Sequence, residues 1–197
     1  MNNYSFILKS GISLMLSIFL FACSSTIRTT TEVPVYITNS RAIYPLPPSD
    51  IKTPLDEAQL LEGTYGNQSF SLESWTIAND SLISISLFNS IGASFGSLFY
   101  SKDSLFFNSS FIKSKQIKPQ YIVTDFQLCF YKTEPLQKMY SKHGLLFFEK
   151  IQKDTIIRGV IDQKDTIIKI TNNPEMTLFK NHLRNYEYRI HHIKENK

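Results

Sequence analysis

Few side chains in this 197-residue sequence have chemistry to offer: two cysteines, four histidines, and one carboxylate set in an otherwise apolar run. That run is "YIVTDFQLCFY", in which Asp125 and Gln127 are the polar members and Cys129 the thiol. A cysteine nucleophile needs a cation or base to lower its pKa, and no basic residue adjoins Cys129 in the local sequence, so its expected role is that of a small buried hydrophobe. His191 and His192 are adjacent on a predicted strand and so point to opposite faces, which argues against a shared metal. His143 precedes Gly144 at a predicted turn, and His182 lies in another loop. No metal-ligand spacing, Gly-x-Ser-x-Gly elbow, phosphate loop or dinucleotide fingerprint is present. The residues therefore assemble no catalytic constellation, and the expectation is a protein that is not an enzyme and uses neither metal nor cofactor. The alternative is a hydrolase of an acyl conjugate using Asp125 with one of the histidines. Capping or backbone bonding is the commoner role for such a carboxylate.

Cys23 has a different kind of chemistry. It ends an apolar run over residues 11–22 that follows Lys9. The run is shorter than the ~18–20 residues of a bilayer-spanning helix and has the size of a signal-peptide core. Leu20-Phe21-Ala22-Cys23 resembles the lipobox of bacterial lipoprotein signals: an aliphatic residue, a variable one, a small one, then Cys. The resemblance implies removal of residues 1–22 and a diacylglycerol on Cys23, the first residue of the mature chain. Ser24 in the next position resembles the outer-membrane sorting pattern of enteric bacteria. With Cys23 acylated, Cys129 has no partner, and a disulfide framework is excluded.

The formal net charge of +4 falls to +3 once Lys9 is lost with the signal. The basic residues are scattered and form no nucleic-acid motif, so the charge reads as solubility, with weak attraction to an anionic lipid surface. Residues 23–50, Ser/Thr-rich and then punctuated by Pro34, Pro45, Pro47 and Pro48, read as a lipid anchor and extended tether. The alternative for "VPVYIT" is a short edge strand. Residues 51–197 are long enough for one domain with a core of its own.

Fifteen Phe and ten Tyr give this domain a β-rich signature. Thr53-Pro54-Leu55-Asp56 has the form of a helix start, and Gly63 stands where a helix would stop, which predicts a short helix between them. Strands are predicted over 68–77, 81–88, 95–101 and 104–108, and their tight connections make them antiparallel. The 3.6-residue spacing of Ile122, Phe126 and Cys129 predicts a helix over 120–131, with a helical turn over 134–140. Strands resume at 145–151. Gln-Lys-Asp-Thr-Ile-Ile then occurs twice, at 152–157 and 163–168, which reads as two hairpin-linked strands sharing one polar turn. Strands over 176–180 and 186–193 close the chain.

A half-exposed antiparallel sheet alternates between apolar and polar residues. Leu105-Phe106-Phe107, Leu145-Leu146-Phe147-Phe148, Ile156-Ile157 and Ile167-Ile168 instead put apolar groups on both faces, so both need cover. A sandwich would supply it. So would one curved antiparallel sheet, a half-barrel with a short helical lid, and the helix inserted between two groups of strands favours this mainly β (α+β) arrangement. A partial lid leaves an apolar hollow suited to an acyl chain, with Trp75, Ile83, Ile85, Leu87, Phe107, Phe126, Phe130, Phe147 and Tyr188 as its candidate lining. The alternative is an interior filled by its own phenylalanines.

Three stretches carry a further resemblance: Leu46-Pro47-Pro48-Ser49, Ile91-Gly92, and Tyr121-Ile122-Val123-Thr124-Asp125-Phe126-Gln127-Leu128. On these the chain resembles a family of lipoproteins often encoded in aryl-polyene-type pigment gene clusters. Its arrangement resembles LolB, the outer-membrane lipoprotein receptor, and LolA, its periplasmic relative, which fold as a half-barrel with a helical lid over a hydrophobic cavity. One departure stands out: Tyr131-Lys132 occupies the place of an expected Trp-Pro pair, and the proline comes later, at Pro135. The resemblance implies an outer-membrane lipoprotein, anchored through Cys23 and facing the periplasm. A lipid or acyl group would be its ligand and a LolA-like carrier its partner, without nucleic acid. A passive envelope scaffold is the remaining alternative.

Overall fold

The computed structural model describes residues 25–29, 33–65, 67–109 and 118–193; Cys23 and the predicted signal segment lie outside them. Among the described residues the strands are β1 (Ser25–Thr29), β2 (Val35–Tyr36), β3 (Ala42–Ile43), β4 (Leu55–Tyr65), β5 (Gln68–Ala78), β6 (Leu82–Phe88), β7 (Ser94–Ser101), β8 (Leu105–Ser109), β9 (Leu146–Gln152), β10 (Thr155–Asp162), β11 (Asp165–Asn172), β12 (Met176–Asn181) and β13 (Tyr186–His192). The helices are α1 (Pro119–Phe130) and α2 (Thr133–Lys142), with a 3-10 turn at Pro48–Asp50. Eleven strands form one sheet in the order β1-β8-β7-β6-β5-β4-β13-β12-β11-β10-β9, while β2 and β3 pair with each other. Every pairing is antiparallel, and β1 and β9 stand at opposite edges without closing a barrel.

The sheet curls. Twelve residues of α1 span ~18 Å at 1.5 Å per residue. Yet α1 touches β8 and also β11 and β12, and β8 lies six strand spacings from β12, ~29 Å along a flat sheet. A single short helix reaches both only if the sheet bends around it. One continuous core results, with Leu105 and Phe107 of β8 in the same cluster as Val160 of β10 and Ile168 of β11.

Pairing assigns the faces. The concave face takes Gln59, Thr76, Ile83, Tyr100, Phe107, Phe147, Arg158, Ile170, Phe179 and Tyr188. The apolar doublets arise partly from a bulge. Lys153 and Asp154 turn the first copy of Gln-Lys-Asp-Thr-Ile-Ile, but Gln163 and Lys164 turn the second, one residue earlier in the repeat. Lys153 and Gln163 each take positive φ, 52° and 56°, at the first turn position. The slip is absorbed where the register shifts beside Val160, leaving Ile167 as the extra residue. Ile167 and Ile168 are consequently both buried.

Three expectations need correction. Residues 55–65 form strand β4, not a helix: its Glu-Ala-Gln-Leu-Leu-Glu composition favours a helix, but β5 and β13 hydrogen-bond it on both sides and override that preference. Residues 33–50 are not a free tether, because Val35 and Ile43 are 1% and 0% exposed and join the core beneath α1. Trp75 is not in the interior. It alternates with the buried Ser74 and Thr76, so it faces outward, 41% exposed, with Nε1 donating to Asp56 at 3.0 Å.

Candidate functional site

The helix that covers the concave face is held by three polar ties. In its C-terminal half, Gln127 is clamped to residue 46: Leu46 N–H donates to Gln127 Oε1 at 2.9 Å, and Gln127 Nε2 donates to Leu46 O at 2.7 Å. Tyr100 Oη donates to the same carbonyl at 2.7 Å. Two of the stretches that carry the family resemblance are thus each other's partners, which gives Gln127 a structural role. Beside them, Tyr131 and Ile51 form an isolated bridge, and Lys132 N–H donates to Asp50 O, so the Tyr-Lys departure is seated in backbone pairing.

At its midpoint α1 presents Asp125 to the β12–β13 hairpin. Tyr186 Oη donates to Asp125 Oδ2 at 2.6 Å, and Asn181 Nδ2 donates to Tyr186 Oη at 3.3 Å. Loss of water pushes the Asp125 carboxyl up to about 7, against the opposing pull of the Tyr186 hydroxyl and the Arg184 guanidinium. Arg184 lies over the Tyr121 ring and donates to Tyr36 O. No histidine joins this cluster. His143 bonds Met139 O, His191 bonds Glu62, His192 bonds Glu57, and His182 is exposed in the turn after β12, so none of the four is paired with Asp125.

At the C-terminal end Arg158 of β10, 2% exposed, caps the helix. Its Nη1 donates to Leu128 O and Cys129 O, both at 3.1 Å, satisfying carbonyls that the helix end leaves orphaned. Its Nε and Nη2 both reach Glu149 Oε2 at 2.6 Å. Burial alone would raise the Glu149 pKa, but Thr133 and Arg158 outweigh it and hold the carboxylate below its ordinary range. Burial raises the thiol of Cys129 far above its usual range, so it is an inert filler.

Beside this cap is a pocket of about 220 Å³ lined by Leu55, Cys129, Phe130 and Ile156 with Lys52, Thr53, Arg158 and Asn172. A polar row continues from it across the concave face. Glu57 Oε1 is 2.9 Å from His192 Nδ1 and accepts from Gln59 Nε2, and Gln59 Oε1 accepts from Thr76 at 3.0 Å. The hydrogen bond with His192 lowers the Glu57 pKa despite partial burial. Thr177 Oγ1 lies 3.4 Å from His192 Nε2. This hydroxyl–imidazole–carboxylate order is that of a hydrolase triad. Thr177 is 0% exposed, however, so no substrate reaches its hydroxyl, and the row is structural. Its members are too far apart in sequence to be read as partners beforehand.

The candidate cavity residues are divided among these regions. Phe130 lines the pocket. Ile83, Phe107, Phe126 and Phe147 are buried in the core, and Ile85, Leu87 and Tyr188 are half-buried on the concave face. Much of the interior is filled by the chain's own side chains. Among the described residues no three His, Cys, Asp or Glu gather as metal ligands, and no helix is long and apolar enough to cross a membrane.

Residues 56–194 match the family described as Protein of unknown function (DUF3261). The chain belongs to that family. The DUF3261 span opens in β4, takes in both helices and all strands through β13, and leaves out residue 46, to which Gln127 is clamped. No curated protein matches the chain.

Proposed function

We propose that this DUF3261 member is a lipid-anchored envelope protein that holds a hydrophobic ligand, a lipid or acyl chain, without a covalent step. The pocket at the Phe130 end of α1 carries the reading: Leu55, Phe130 and Ile156 offer apolar walls at a place the helix leaves uncovered. Its volume of about 220 Å³ lies below the roughly 300–1,000 Å³ of sites that enclose a whole ligand. It therefore takes one end of a chain molecule and leaves the rest along its mouth. Apolar burial of ~25 cal/mol per Å² drives the exchange. The open curled sheet supports the LolB-like half-barrel reading. With acylated Cys23 it supports a place at the outer membrane facing the periplasm, and a LolA-like carrier as partner.

Native mass spectrometry of the intact protein taken from its own membranes tests this. A co-purifying lipid, in addition to the diacylglycerol lost in Cys23→Ser, is the expected result. Absence of such a lipid, with turnover of acyl esters that Asp125→Ala abolishes, would establish the hydrolase alternative.

A further inference from the structure

We infer that the ligand of the Phe130 pocket is a single-chain amphiphile with an anionic head, a carboxylate or a phosphate, seated head-inward against Lys52 and Arg158. This rests on the hydrophobic-ligand reading above and adds what that reading leaves open, the chemistry of the head. Both cations line the pocket, whereas Glu149, the carboxylate beside them, is not part of its lining. Glu149 accepts from Arg158 and leaves Lys52 to act on it only at longer range. The ammonium of Lys52, an exposed residue, has no ion-pair partner among the described residues.

The guanidinium count points the same way. An arginine carries five N–H donors in a fixed fork. Arg158 directs Nε to Glu149, both Nη1 hydrogens to Leu128 O and Cys129 O, and one Nη2 hydrogen to Glu149. The second Nη2 hydrogen remains, on a side chain that borders the pocket. A buried donor left empty is unfavourable, and a charged acceptor fills it best. Thr53 and Asn172 supply further polar contacts at the wall, and Leu55, Phe130 and Ile156 receive the first carbons of the tail. A cationic head would meet Lys52 and Arg158 as like charges.

The test uses the full chain in nanodiscs of zwitterionic lipid, with empty nanodiscs subtracting partition into the bilayer. The probes are labelled dodecanoate, dodecyl phosphate and dodecanol. The anions are expected to bind about tenfold tighter than the alcohol, the scale of one charge-assisted hydrogen bond, and the stronger anion identifies the head. Lys52→Met should abolish most of that preference, read as the ratio of anion to dodecanol affinity within the same variant, and Lys52→Arg should keep it. Lys52 is chosen because it is exposed and its replacement leaves the cap of α1 intact. Equal binding of alcohol and anions, or a preference untouched by Lys52→Met, would overturn the anionic head and leave the hydrophobic-ligand reading standing. Failure of all three probes to bind would overturn both.

Discussion

At its midpoint, Asp125, α1 is closed against the β12–β13 hairpin, whereas at its C-terminal end, Phe130, it leaves a pocket between itself, β4, β10 and β11. Both places bury an ionisable group, and they manage it differently. Asp125 is held by a neutral tyrosine and sheds its charge near neutral pH, while the aromatic stack of Tyr186, Phe179 and Tyr188 packs behind it. Arg158 cannot shed its charge and needs a carboxylate and two carbonyls around it. A group that can be neutralised allows tight closure. A permanent cation brings polar neighbours, and space remains beside them.

The largest expected break in this comparison is Arg158→Met. It removes the ion-pair partner of Glu149 and uncaps Leu128 and Cys129, so denaturant unfolding should show a loss of about 3–5 kcal/mol, the scale for breaking a buried ion pair. A loss below about 1 kcal/mol would mean that the cap is dispensable.

Asp125 sharpens the contrast through pH. Its folded pKa, about 7, lies above its ordinary value of 3.8, so between these values the folded state holds a proton that the unfolded state has released. Its contribution is fully present below about pH 4 and is lost as pH rises through 7, on the order of 3 kcal/mol after allowance for partial exposure. Unfolding free energies of Asp125→Asn against the parent from pH 4 to pH 8 should diverge in that direction; parallel curves would refute the shift.

The smallest effect is expected between Asp125 and Phe130. Gln127→Leu removes the clamp on Leu46 and should cost about 2 kcal/mol, leave the pH profile unchanged and preserve ligand binding. A lost pH profile or lost binding would show that Asp125 and the pocket are coupled through the Gln127 clamp.

Much of this was legible in the sequence, and the unread parts have physical reasons. The strands after Gln68 and both helices follow from side-chain periodicity and turn residues, which are local. Trp75 was misplaced because parity along β5 matters more than size: Ser74 and Thr76 face inward, so their bulky neighbour cannot. β4 was misread because its residue types favour a helix, and only the pairing on both flanks reveals the strand. The Arg158–Glu149 pair had a readable signal, since a two-residue turn at Lys153-Asp154 puts residues 149 and 158 opposite each other. Glu57 and His192, and Leu46 and Gln127, had none, because their meeting depends on how the whole sheet curls.

The central claim is that a hydrophobic guest is admitted at the Phe130 end and not against Ile83, Ile85, Leu87 and Phe107 on the concave face of β6 and β8. Photolabelling of the full chain in nanodiscs with a dodecyl chain bearing a diazirine near its head, followed by peptide mapping, tests it directly. The account predicts adducts on Leu55, Phe130 and Ile156. Adducts concentrated instead on Ile83, Ile85, Leu87 or Phe107 would contradict it.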